Sequence, residues 1–134
     1  MPLSALFVLG TAQEVLMEKH WEAGLDRSLC DVYWRALAAA GGDAAAVPPV
    51  LASPRAYVLH CGRDGVVLLG LVRREHPPAA ALSFLAHVGD VLARYCGGRL
   101  REEALRESFA TIVQVLDEVS HRRARAGAML SAGM

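Results

Sequence analysis

Residues 56–73, AYVLHCGRDGVVLLGLVR, carry the clearest signal for the fold of this chain. Two apolar runs rich in valine and leucine, Ala56–Cys61 and Val66–Arg73, flank a segment with two glycines and an aspartate. Runs of this composition predict strands, and glycine and aspartate between them are typical of a tight turn. The segment Gly62–Gly65 is therefore predicted to join two neighbouring strands.

Toward the N-terminus, the sequence predicts two further strands, a helix and an edge strand. Leu3–Leu9 reads as a central strand covered on both faces, and a turn at Gly10-Thr11 leads into a second strand at Val15-Leu16-Met17, so that the two form a hairpin. Helix one begins at Gly24 or Asp26 and ends at Gly41-Gly42, with an apolar stripe of Leu25, Leu29, Val32, Ala36 and Leu37. Val50-Leu51, directly after Pro48-Pro49, is expected to be a short edge strand, because proline cannot donate to a sheet ladder.

Toward the C-terminus, the sequence predicts two helices. The first has proline in its first turn, where the lost N–H does no harm, and ends at Cys96-Gly97-Gly98. Its stripe is Leu82, Leu85, Val88 or Gly89, Leu92 and Tyr95. The second begins near Arg101, with the stripe Leu105, Phe109, Ile112, Val113, Leu116 and Val119, and its periodicity ends at His121.

The predicted order of elements is ββαβββαα. Because strands and helices are segregated, this order favours an α+β fold with a mostly antiparallel sheet over a parallel βαβ protein. Residues 1–121 are expected to form one domain, and residues 122–134 a flexible tail or the start of a linker.

Composition excludes several classes of function. The 134 residues carry 14 basic and 14 acidic groups, so the formal charge is zero and no basic footprint for nucleic acid is present. No apolar run approaches the ~20 residues that span a bilayer, and the N-terminus lacks the pattern of a signal peptide. The three cysteines, in apolar surroundings, are typical of reduced, buried thiols. We expect a soluble cytoplasmic protein.

No catalytic, cofactor or metal site is predicted. His60 and Cys61 are adjacent on a strand, so their side chains point to opposite faces and cannot pair as base and nucleophile with Asp64. The five histidines show neither the i, i+4 spacing nor the cysteine partners of a zinc site. The adjacent carboxylates Glu102-Glu103 and Asp117-Glu118 diverge by about 100° on a helix, which is typical of solvated faces.

Trp34 is the main candidate for a binding residue. It lies beside Tyr33 and off the main apolar stripe of helix one, and Cys30 and Trp34 form a second apolar strip one turn apart. One interpretation is a wide buried face, since helices under sheets often bury more than a seam. The other is a protein interface formed by Cys30, Tyr33 and Trp34, because tryptophan is enriched in such contacts.

An ordered series of short motifs resembles a known family. The series consists of Glu18-Lys19-His20-Trp21, Ser28-Leu29-Cys30-Asp31, Val47-Pro48-Pro49-Val50, and Pro77-Pro78 running into Ser83-Phe84-Leu85. Over roughly residues 3–119 it resembles the N-terminal, longin-type domain of the mu subunit of heterotetrameric adaptor complexes, most closely that of adaptor complex 3.

The resemblance implies a fold and a role. The longin fold is a five-stranded, mostly antiparallel sheet with one helix on one face and two on the other. In this family the domain is not an enzyme and has no cofactor. It packs against the helical solenoid of the large beta subunit, among other adaptor subunits, in intracellular protein sorting and vesicle-mediated transport. The expected location is peripheral to Golgi or endosomal membranes or coated vesicles, with membrane contact only through the complex. Cargo recognition belongs to a separate C-terminal domain, which we expect to lie outside these residues.

Two alternatives stay open at this point. One is a longin domain of another trafficking system, a SNARE or a sigma-type adaptor subunit, although SNARE longins precede a heptad-repeat segment. The other is a small ligand-binding or enzymatic module built on the strand of His60 and Cys61, which would need a concave polar pocket around those residues.

Overall fold

A computed structural model describes the backbone of residues 1–132 and all of their side chains except those of Phe109, Ser120 and residues 123–132. Within that part the strands are β1 Ala5–Leu9, β2 Val15–His20, β3 Val50–Ala52, β4 Ala56–Arg63 and β5 Val66–Arg73. The helices are α1 Cys30–Ala39, α2 Pro78–Tyr95, α3 Glu102–Glu107 and α4 Phe109–Ala132. The predicted α+β class is confirmed, with every predicted strand present.

The five strands form one antiparallel sheet in the order β2-β1-β5-β4-β3. The strand β1 is an interior strand between β2 and β5, since Phe7 pairs with Glu18 of β2 and with Leu69 of β5. All five residues of β1 are buried, as expected for a strand covered on both faces. The two edges are β2 and the short β3, and α1 connects them.

The β4–β5 hairpin is tighter than the sequence indicates. Gly62 and Arg63 belong to β4, and the turn consists of Asp64 and Gly65 alone, at φ 56° and φ 81°. Two consecutive positive φ values define the two-residue turn whose twist matches that of the flanking strands. Aspartate tolerates this conformation better than most residues, and its Oδ2 also accepts a 2.8 Å hydrogen bond from the N–H of Leu100.

The sheet separates two hydrophobic cores. Beneath α2, α3 and α4 the core includes Leu6, Val8, Leu68, Phe84, Leu85, Leu92, Leu105, Ile112 and Leu116. Beneath α1 it includes Ala5, Phe7, Leu9, Leu29, Cys30, Tyr33, Val58, Leu69 and Leu71. One face of the sheet therefore carries three helices, and the other carries a single helix of ten residues.

Two glycines let α2 pack closely on the sheet. A Cβ at Gly70 of β5 would lie 2.9 Å from Cδ2 of Leu3 and 3.6 Å from Cδ1 of Leu85. A Cβ at Gly89 of α2 would lie 3.2 Å from Cδ1 of Leu68 and 3.3 Å from Cζ of Arg63. Side chains larger than hydrogen at these positions would push the helix away or displace their neighbours.

The start of helix one differs from the prediction. Leu25 is buried, but it lies in the loop before the helix and not in its stripe. Gly24 adopts φ 98°, and the carboxylate of Asp26 accepts a 3.0 Å hydrogen bond from the N–H of Ser28. This cap begins a 3-10 turn at Arg27–Leu29 that leads into α1. The helix therefore begins later than its apolar periodicity indicates.

The stripe of α2 was wrong at one position. Tyr95 is 48% exposed, whereas Cys96, four residues after Leu92, is buried. Phe84 is fully buried although the prediction did not include it. The period of 3.6 residues explains both, since the buried face continues from Leu92 to a residue four positions later.

The last predicted helix is divided and longer. The backbone breaks at Ser108, at φ −105° and ψ 21°, between α3 and α4. Leu105, Ile112 and Leu116 are buried as predicted, and Phe109 lies outside the described side chains. α4 continues beyond His121, through a segment rich in alanine and arginine, which are strong helix formers. The division of the chain at residue 121 into a domain and a flexible tail stays a prediction.

Candidate partner interface

The aromatic residues of α1 pack on β4 and on the connector that precedes β3. The rings of Tyr33 and His60 lie 5.0 Å apart between centroids, and those of Tyr33 and Trp34 lie 5.2 Å apart. The side chain of His60 bonds through Nε2 to the carbonyl oxygen of Pro48 at 2.9 Å, so that nitrogen carries the proton and donates. Its backbone N–H donates to the carbonyl of Pro49 at 3.3 Å. The cluster fixes α1 against one half of the sheet.

The three predicted interface residues differ in exposure. Cys30 is 4% exposed and Tyr33 is 1% exposed, so both contribute to the core of this chain. Burial, followed by the negative charge of Asp31, raises the pKa of the Cys30 thiol to about 11. Trp34 is half-buried and packs against the edge of the same core. Of the three, only Trp34 offers substantial surface to another molecule, and a contact with a partner stays a prediction for all of them.

Half-exposed apolar side chains surround α1. Those that the sequence analysis did not propose as interface residues come from the helix and from three strands: Val32, Ala36 and Leu37 of α1, Val15 of β2, Leu51 of β3 and Val67 of β5. Val32, Ala36 and Leu37 were predicted as part of the buried stripe of helix one, but the structure leaves them half-buried. The signal that could have identified them is their place at the edge of the core beneath α1, where no second helix covers them. By contrast, the residues on the outer side of α1 are polar or small, namely Asp31, Arg35, Ala38 and Ala39.

The residues considered for catalysis do not form a site. His60 contacts Tyr33 on the α1 face, whereas Cys61 packs against the core on the opposite face. This contradicts a shared nucleophile and base. Within the described part of the chain, no group of three His, Cys, Asp or Glu residues could hold a metal ion.

The paired carboxylates have structural partners. Oε1 of Glu102 accepts from the backbone N–H of Thr11 at 2.8 Å and from its hydroxyl at 3.1 Å, which lowers the pKa of Glu102. Asp117 forms a 3.2 Å salt bridge with Lys19. These contacts attach α3 and α4 to the β1–β2 hairpin.

Comparison with known proteins identifies the family. No protein-family model matches the sequence. The AP-3 complex subunit mu of Arabidopsis thaliana is 36% identical over 118 residues, which is 87% of this chain, and that of Dictyostelium discoideum is 29% identical over 118 residues, or 88% of this chain. The chain is therefore similar to AP-3 mu subunits over nearly its whole length. It spans 28% of the length of these relatives and fits their N-terminal, longin-like domain.

The fold of this chain is also similar to a known one. A chain of a homology model of the full-length AP-3 complex in a stretched open conformation superposes with a TM-score of 0.66. The match covers 97% of this chain and 94% of that chain at 13% identity, so it bears on the fold alone. The longin-like architecture expected from the motifs is confirmed. Among the residues that the structure describes, no helix is long and apolar enough to cross a bilayer.

Proposed function

We propose that this chain is a non-enzymatic assembly domain of an adaptor-complex mu subunit, and that it binds the large beta subunit of that complex. The observation that carries the proposal is the match to AP-3 mu subunits over nearly the whole domain. The wider role is intracellular protein sorting and vesicle-mediated transport, in the cytoplasm and at the surface of Golgi or endosomal membranes or coated vesicles. Other subunits of the complex are further partners.

The surface around α1 supports a role in assembly. Half-exposed valine, leucine and tryptophan side chains border a single helix there, whereas the opposite face has three helices of its own. Contiguous exposed apolar patches of more than a few hundred Å² that are bordered by polar residues mark protein or membrane contacts. A helical solenoid offers a complementary apolar surface to such a region.

The experiment measures binding of the purified domain to the trunk of the AP-3 beta subunit from the same source by calorimetry. We expect a specific complex with a negative heat-capacity change, because apolar surface leaves water on association. The matched control is the beta trunk of a different adaptor complex, which should bind at least tenfold more weakly. A folded domain that binds neither trunk, or that prefers the second, would contradict the AP-3 assignment of the partner.

A further inference from the structure

We propose that residues 23–48, which we call the α1 cover, open and close on the sheet as one unit while the sheet and the other three helices stay folded. The α1 cover contains the 3-10 turn at Arg27–Leu29, helix α1 and the connector that leads to Pro48. It runs between β2 and β3, the two edge strands of the sheet. This opening does not depend on the partner proposed above.

The α1 cover takes no part in the backbone hydrogen bonding of the sheet. Just before it, the N–H of Glu22 donates to the carbonyl of Ser4 at 3.1 Å. Just after it, the N–H of His60 donates to the carbonyl of Pro49 at 3.3 Å. Among the described residues, every backbone–backbone hydrogen bond of residues 23–48 stays within the cover. When the cover leaves the sheet, each strand therefore keeps all of its backbone partners, and no buried N–H or C=O of the ladder loses its bond.

Helix α1 is weak both as a helix and as a packed element. Only two of its ten residues, Cys30 and Tyr33, are buried, whereas seven of the eighteen residues of α2 are buried. Ten residues are fewer than the roughly 12–15 that give an isolated helix even marginal stability. No side chain caps the start of α1, and Gly41 and Gly42 follow its end with positive φ. Because local stability falls with the number of buried apolar contacts, α1 is expected to open more readily than α2.

Two arginines from the sheet hold the start of the α1 cover. Nε of Arg73 donates to Oε2 of Glu22 at 2.6 Å, and Nη2 of Arg73 donates to the carbonyl of Ala23. Nη2 of Arg55 donates to the carbonyl of Gly24 at 2.5 Å. The side chains of Arg73 and Glu22 are 35% and 36% exposed, so water and salt ions reach this ion pair. These bonds act as a latch that salt weakens.

One histidine holds the end of the α1 cover. Nε2 of His60, on β4, donates to the carbonyl of Pro48 at 2.9 Å, and the adjacent Val47 is buried. Between the two ends, Leu29 and Tyr33 pack into the core beneath α1. Contacts that involve side chains therefore hold the whole cover on the sheet. Because α1 joins the two ends, we expect these contacts to break together.

The test is hydrogen exchange of the whole domain, measured by mass spectrometry for peptides from the α1 cover and from α2. After correction for intrinsic rates, amides of α1 in the wild type are expected to exchange at least tenfold faster than those of α2. Their exchange should also depend less on urea, because opening the cover exposes less surface than global unfolding. Arg73→Met is expected to speed exchange across the cover roughly three- to tenfold, as for a partly exposed ion pair with its hydrogen bonds, and to leave α2 within twofold.

The matched control is Arg74→Met, at the next residue along the chain. The guanidinium of Arg74 lies over the ring of Tyr57, 4.7 Å from its centroid, and donates to the carbonyl of Ser53, outside the α1 cover. This variant should leave exchange of the cover within twofold. Glu22→Gln removes the same ion pair from the other side, and it should speed exchange of the cover in the same direction as Arg73→Met by a smaller factor.

Four results would overturn the proposal. Equal exchange rates and equal urea dependence of α1 and α2 in the wild type would show that only global unfolding exposes the cover. Faster exchange of α2 as well in Arg73→Met would show that this arginine stabilises the whole domain and is not a latch. An equal effect of Arg74→Met would contradict the assignment of the latch to Arg73. Acceleration confined to one end of the cover would show that it does not open as one unit.

Discussion

Replacement of Gly70 by alanine should destabilise the domain through one identifiable contact. The new Cβ would lie 2.9 Å from Cδ2 of Leu3, a distance that real Cβ atoms do not tolerate, and Leu3 itself is fully buried. Leu85 lies in ordinary contact at 3.6 Å on the other side, so the end of the Leu3 side chain must shift within a fully buried environment. Overpacking of this kind costs about 1–3 kcal/mol, and the reduced entropy of the unfolded chain returns about 0.4–1 kcal/mol. The expected net loss is about 0.5–2 kcal/mol.

Urea denaturation measures this loss, with Gly62→Ala as the matched control. Gly62 lies in the neighbouring strand β4, is exposed, and has no atom within 4 Å of a built Cβ. We expect Gly70→Ala to lower the midpoint by roughly 0.3–1 M, from typical slopes for domains of this size, and Gly62→Ala to leave it unchanged or raise it. In a Leu3→Ala background, which lacks the contacting methyl group, Gly70→Ala should cost much less free energy of unfolding than it does in the wild type. A Gly70→Ala variant at least as stable as the wild type would refute the reasoning.

Three further measurements test other contacts. Since burial raises the pKa of Cys30 to about 11 from about 9, its contribution to stability is present below pH 9 and is lost as the pH rises through 11. Between pH 9 and 11 the wild type should lose about 2 kcal/mol more than Cys30→Ala, by urea denaturation, and equal losses would contradict the assignment. Lys19→Met should cost less than about 1 kcal/mol, because the salt bridge to Asp117 joins side chains that are 25% and 40% exposed; a larger loss of thermal stability would show that the bridge is not a surface pair. The hydrogen bonds from Arg27, followed by that from His20, lower the pKa of Glu18. Their contribution to the free energy of unfolding is therefore present above the ordinary pKa of Glu18 and is lost as the pH falls through the lowered value. Arg27→Met should raise the pKa of Glu18 measured by NMR, and an unchanged pKa would exclude this pairing.

The regular elements could be predicted from local patterns. The strand Val66–Arg73 was predicted with its correct bounds, because a continuous apolar run between turn residues is a local signal. The proline in the first turn of α2 was also correctly placed, since it is Pro78, the first residue of the helix. Of the two predicted starts of helix one, Asp26 is the residue whose carboxylate caps the helical segment. The first turn is a 3-10 turn, so the α-helix itself begins only at Cys30 although the apolar period starts earlier. The break at Ser108 has no local signal in the sequence that we recognise.

The candidate interface was predictable only in part. The aromatic pair Tyr33-Trp34 is visible in the sequence, but its division into a core residue and a half-exposed one depends on which strand lies beneath α1. The contribution of Leu51 and Val67 depends on the order of strands in the sheet, which pairs residues far apart in the chain. No spacing rule within α1 contains that information.

The position of β1 between β2 and β5 in the sheet has a consequence for synthesis on the ribosome. β1 is synthesised roughly sixty residues before its partner β5. At 5–20 residues per second, β1 waits on the order of 3–12 s with one side of its backbone unpaired. During that time the nascent chain exposes the apolar run Leu6-Phe7-Val8-Leu9 next to the β2 hairpin strand. The apolar run of β1 is therefore constrained by its exposure on the nascent chain as well as by its place in the folded sheet.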